Sequence, residues 1–186
     1  MQWVACAVLG SMLVLVAEGR SSAQSVTLAT DLMKDWRAQK DTMMKIADAM
    51  PADKFDYKTT PAQRSYGEQI LHVAGANIML LRFLGGKTPA PPINTSDLKV
   101  FGLTAAAKPD VLKALSDSYD YGEAVLKEFS EAQLVQMVKG PPWISEATRA
   151  KMVYFTLGHT QDIYGQMVVY LRLNGIVPPA SRRGGV

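Results

Sequence analysis

Apolar residues recur along most of this chain at the three- and four-residue intervals of an α-helix, in four blocks separated by proline-bearing connections. The first block runs from about Val26 to Met50. Leu28, Leu32, Trp36, Met43, Ala47 and Met50 fall on one stripe, and Pro51 follows its end. The second follows Thr60-Pro61. There Ser65 and Glu68 have the spacing of a capping box, in which the serine hydroxyl accepts from the backbone at Glu68 and the glutamate reaches back. This helix is expected to reach Leu84, before Gly85-Gly86. A third spans about Pro109 to Phe129, with Val111, Leu112, Leu115, Tyr119, Gly122, Val125, Leu126 and Phe129 on its buried side. The fourth spans about Ser145 to Asn174, and Gly175 is its natural stop. No strand pattern competes: Gln166 to Leu173 is rich in β-formers but keeps the helical period. The expectation is an all-α four-helix bundle. A loop of about 20 residues, 85–107, joins the second and third helices, a length that goes with a lid, a packed Ω-loop or mobility.

With 186 residues, 48% hydrophobic and 20% charged, the chain can bury a core without disulfide or metal. Its first residues read differently. An apolar run from Val4 to Ala17 leads to Ser21-Ser22-Ala23, the small-residue pattern of a signal-peptide cut after Ala23. The expected organisation is therefore a signal peptide, 1–23, and one helical domain, 24–186, exported to the periplasm or secreted. The run falls short of the ~20 residues that span a bilayer, so no stable membrane anchor is expected. Cys6, the sole cysteine, lies near the start of the run, where a lipid attachment site would not be, and leaves with the leader. A net charge of +3, dispersed along the chain, argues against nucleic acid as a partner. Neither a nucleophile triad nor a phosphate-binding glycine loop occurs.

The chemistry concentrates on two histidines, His72 and His159. At 100° per residue, His159 shares its face with Met152, Phe155, Thr156, Ile163, Gln166 and Tyr170, with Asp162 at the edge. His72 shares its face with Ser65, Glu68, Ala76, Met79 and Phe83. Each face is otherwise largely apolar with one central histidine. Were the two helices neighbours, the imidazoles would pair as metal ligands do in bundle cores. The commoner role of a lone histidine on such a face is a hydrogen-bonded core residue, and local sequence leaves both open. A His-x-x-x-His pair would present two imidazoles to one ion, but Ile163 occupies the second place after His159.

The run Ser-Tyr-Gly-Glu-Gln-Ile-Leu-His at 65–72 resembles the helix-two histidine motif of the DinB/YfiT-like family of four-helix proteins. The run His-x-x-x-x-Tyr-Gly-Gln-x-x-x-Tyr-Leu-Arg-x-x-Gly-x-x-Pro-Pro at 159–179 is similar to its last-helix motif and is the more specific of the two. The similarity extends from about Val26 to Pro179. The resemblance implies a divalent metal, commonly zinc or nickel, on three histidines, which map to His72, His159 and the position of Ile163. Isoleucine cannot ligate, so the implied metal is weakly held or absent. Glu68 and Asp162 are carboxylates that could complete a two-histidine, one-carboxylate set. Their simpler roles are the capping box for Glu68, and a surface acid or support of His159 for Asp162.

Two function classes follow from the resemblance. One is a metal-dependent transferase or hydrolase acting on a small-molecule substrate, with catalytic residues unidentified; Tyr164, Gln166 and the 85–107 loop would shape its pocket. The other is a non-catalytic module that has lost its metal and binds a small molecule or pairs as a homodimer, as many related bundles do.

Overall fold

The computed structural model describes residues 26–91 and 107–182. Four long helices carry the fold: α1 (Leu28–Ala49), α2 (Tyr66–Arg82), α3 (Lys108–Leu126) and, last in the chain, α5 (Arg149–Leu173). A single-turn helix, α4 (Glu131–Leu134), and a small antiparallel hairpin of β1 (Met137–Lys139) and β2 (Glu146–Thr148) lie between α3 and α5. The expected leader and its cut after Ala23 fall outside the described residues, as does most of the 85–107 loop. Among the described residues, no helix is long and apolar enough to cross a membrane.

Local chemistry sets the helix ends. Thr27 caps α1, its hydroxyl accepting from Thr30 N while the Thr30 hydroxyl accepts from Thr27 N. The capping box expected at α2 forms: Glu68 N donates to Ser65 Oγ (3.2 Å), and Ser65 N to Glu68 Oε2 (2.6 Å). Gly175 adopts φ +70°, the left-handed conformation that lets Ile176 N reach back to Leu171 O and close α5.

Two expectations are corrected. The fourth long helix starts at Arg149, not near Ser145, and strands do occur. Met137, Val138 and Lys139 pair with Thr148, Ala147 and Glu146, across a turn in which Ser145 takes φ 64°. That pairing claims the backbone of 146–148, and Thr148 then serves as the cap, accepting from Lys151 N (3.2 Å).

α2 is the central element, packed against α3 and α5 and buried on most sides, while α1 also packs against α3 and α5. Trp36 joins α1 closely to α3. Trp36 stacks at 5.1 Å from Tyr119 and donates its indole N–H to Tyr119 O (2.9 Å). A Cβ at Gly122 would stand 2.1 Å from Trp36 Cζ2, so only glycine leaves room for the indole there. The start of the long loop is pinned by Glu128, which accepts from Lys87 N and from both the backbone and the hydroxyl of Thr88.

Candidate metal centre

α2 and α5 run antiparallel, and their side-chain contacts step along the seam. Arg149 donates to Leu84 O, Thr160 to Asn77, His159 meets His72, Gln166 meets Gln69, and Tyr170 donates to Arg64 O. The seam thus brings together the only two histidines in the chain. Their Nε2 atoms are 3.1 Å apart, with ring centroids at 5.0 Å and planes inclined by 54°. Two metal–nitrogen bonds of about 2.0–2.1 Å place their nitrogens roughly 3–3.4 Å apart, so this separation suits two ligands of one ion. It equally suits one N–H···N hydrogen bond between the rings.

The histidines do not occupy the centres of buried faces, as the helical wheel implied. His72 lies on the less buried line of α2 with Glu68 and Met79. His159 stands at the edge of the α5 arc formed by Met152, Thr156, Thr160, Ile163 and Met167, all buried. Phe155, placed on the inward face by its spacing, is 42% exposed. The site is therefore half-buried and sits at the rim of the core.

Burial pushes the His72 pKa down to about 4, with the Arg64 and His159 charges adding to the effect. Burial also lowers that of His159; Asp162 opposes the shift and Arg64 adds to it. Both rings are neutral near pH 7, the form a metal requires. The Nδ1 atoms of both are buried and without a hydrogen-bond partner. The two Nε2 atoms are spaced to fill two positions around a divalent ion, while neither Nδ1, which would then carry the proton, has an acceptor.

The third position is unlike the family pattern. Ile163 is 3% exposed and part of the apolar core. Glu68 is engaged at the α2 cap and by Lys58, 3.4 Å away. Asp162 is exposed and accepts from Gln166 Nε2 at 3.2 Å. Among the described residues, no three of His, Cys, Asp and Glu cluster in a way that could hold an ion.

Sequence reasoning did not single out Gln69 or Arg64. Gln69 is fully buried and donates from Nε2 to Gln166 Oε1 (2.7 Å), while its own Oε1 has no partner. Its place three residues before His72, inside the 65–72 motif, was the available signal.

Comparison with known proteins agrees with this architecture. A family model described as the DinB superfamily matches residues 35–167. The crystal structure of a DinB-like protein from Bacillus cereus ATCC 10987 superposes with a TM-score of 0.62 at 18% identity, covering 80% of this chain and 93% of that one. At that identity the likeness speaks for the fold alone. No curated protein sequence matches.

Proposed function

The chain belongs to the DinB superfamily, and from that premise we propose that it is an exported helical protein that holds a divalent metal, zinc or nickel, weakly at His72 and His159. Its reaction class is a metal-dependent transferase or hydrolase reaction on a small molecule. The observation that carries the reading is the 3.1 Å separation of the two Nε2 atoms. Export is supported by the apolar run from Val4 to Ala17 and the small residues up to Ala23.

A bound ion of this kind supplies Lewis acidity, lowering the pKa of a water or thiol at an open position. The chain's own contribution is to keep two uncharged imidazoles side by side at the rim of the core. Ile163 withholds a third imidazole and keeps water from the inner side. Weak affinity follows from the short donor set.

Isothermal titration of tag-free protein with zinc and nickel tests the reading. Wild type should bind one ion, His72→Ala and His159→Ala should each lose binding, and Ile163→His should tighten it tenfold or more. A second reading, a non-catalytic module, is favoured by the burial of isoleucine at the third ligand place. It predicts no metal in elemental analysis and no titration signal from wild type, and that result would overturn the metal reading.

A further inference from the structure

We propose that a groove between α1 and α5 binds a small organic cation, an ammonium or guanidinium head on an apolar body, with Asp35 as its counter-charge. The site is separate from the histidines and does not rest on the metal reading. α5 turns His159 toward α2, whereas Gly158 and Gln161, beside it in the chain, line the groove with α1.

Helical spacing builds the two walls. Asp35, Gln39 and Thr42 follow one line of α1, and Tyr154, Gly158 and Gln161 follow one line of α5. Between them lie about 390 Å³, open to solvent and within the size range of small-molecule sites. The space exists because Ala38 and Gly158 put little or nothing into it. Glycine in mid-helix weakens a helix relative to alanine, so its presence needs a reason. Gly158 has no left-handed backbone to excuse it, and a Cβ built there would meet nothing within 4 Å. Neither a turn nor close packing requires glycine at this place; an open groove does.

The chemistry of the walls selects the ligand. Among the described residues that line the groove, Asp35 alone carries a charge, in a chain whose net charge is +3. Its carboxylate only accepts hydrogen bonds. The Thr42 hydroxyl has committed its proton to Ala38 O (2.9 Å), so toward a ligand it also accepts. The unpaired amide nitrogen of Gln39 is buried and is not needed by the ligand. A negative, acceptor-rich groove is the complement of N–H donors on a cation. Tyr154, 47% exposed, offers a ring face that attracts a cation, and the half-buried Leu157 adds apolar wall for the rest of the molecule. An anion would meet Asp35 with no lysine, arginine or histidine on the described lining to offset it.

Amide-resolved NMR titration of the metal-free protein with phenethylamine tests the site, with phenethyl alcohol as the uncharged comparison and phenylacetate as the anion. The amine should shift the amides of 35–42 and 154–161 and bind about fivefold more tightly than the alcohol, the scale of one exposed ion pair. Asp35→Asn, at an exposed position, should remove that preference. Gly158→Leu should abolish amine binding by filling the groove, with Tm unchanged or raised because leucine favours helix and its Cβ meets no atom there. His72→Ala should bind the amine as wild type does. No shift at millimolar amine, shifts centred elsewhere, or phenylacetate binding more tightly than the amine overturns the proposal. So does an amine preference that survives Asp35→Asn, or amine affinity unchanged in Gly158→Leu.

Discussion

Asn77 and His72 lie five residues apart on α2, and both meet α5, yet their polar surroundings differ. Asn77 donates to Ser118 Oγ at 3.2 Å, and its Oδ1 shares the single proton of the Thr160 hydroxyl, 3.5 Å away, with Thr156 O at 3.1 Å. Those two hydroxyls are themselves tied to Leu115 O and Thr156 O. In this cluster only the Tyr119 hydroxyl lacks a partner, and burial pushes its pKa well up. Around His72 three buried atoms lack partners on two helices. Polar groups that merely set helix register are expected to be satisfied within the fold. The cluster at the rim of the core thus leaves more polar atoms unpaired than the one around Asn77, and an ion on the Nε2 pair would leave both Nδ1 atoms as they are.

Substitutions can break this contrast. The largest loss of stability is expected at the closed end. Gly122→Ala drives a methyl into Trp36 and should cost about 3 kcal/mol, lowering Tm by roughly 6–12 °C. Asn77→Ala should follow at about 2 kcal/mol in urea unfolding, because it strips a buried network of its central member. His72→Leu should stay within about 1 kcal/mol of wild type in metal-free buffer, since it removes an unsatisfied buried nitrogen and adds apolar volume. A cost for His72→Leu equal to that of Asn77→Ala would make the two clusters equivalent and end the comparison.

The smallest effect lies on the surface of the closed end, where Glu123 accepts from Arg37 and Lys127. Arg37 first, then Lys127, hold its carboxyl at about 2, against an ordinary value of 4.5. Because the folded value is the lower one, the pairing stabilises above pH 4.5 and its contribution is lost as the pH falls from 4.5 toward 2. Solvent screening keeps the contribution below about 1 kcal/mol. Glu123→Gln should therefore narrow its gap from wild type over that window, as followed by thermal melts at stepped pH.

The legible parts of the sequence were those with long-range periodicity or a local cap. The stripe from Leu32 to Met50 and the Ser65–Glu68 box specify α1 and α2 through interactions within about one turn, and the facing of His72 and His159 follows once α2 and α5 are neighbours. The hairpin was not legible. Its strands are three residues each, too short for alternation to register, and are held by pairing between residues seven to eleven positions apart. α4 did carry a local signal, the Ser130–Gln133 capping box, shorter than any apolar stripe. Gln69 was hidden for another reason. Glutamine is commonly a solvated surface residue, and its burial here depends on a partner 97 positions away.

The contact between His72 and His159 joins residues 87 positions apart, with α3, α4 and the hairpin strung between them. An ion gripping both rings would act as a removable cross-link, closing a loop that contains nearly half the chain. By chain statistics, closing a loop of that length removes about 4.5 kcal/mol of entropy from the unfolded ensemble, if the link persists there. A two-ligand grip does not survive unfolding, so the coupling runs the other way. The ion is retained only while the whole enclosed segment stays docked, and metal occupancy becomes a report on the integrity of elements that never touch it.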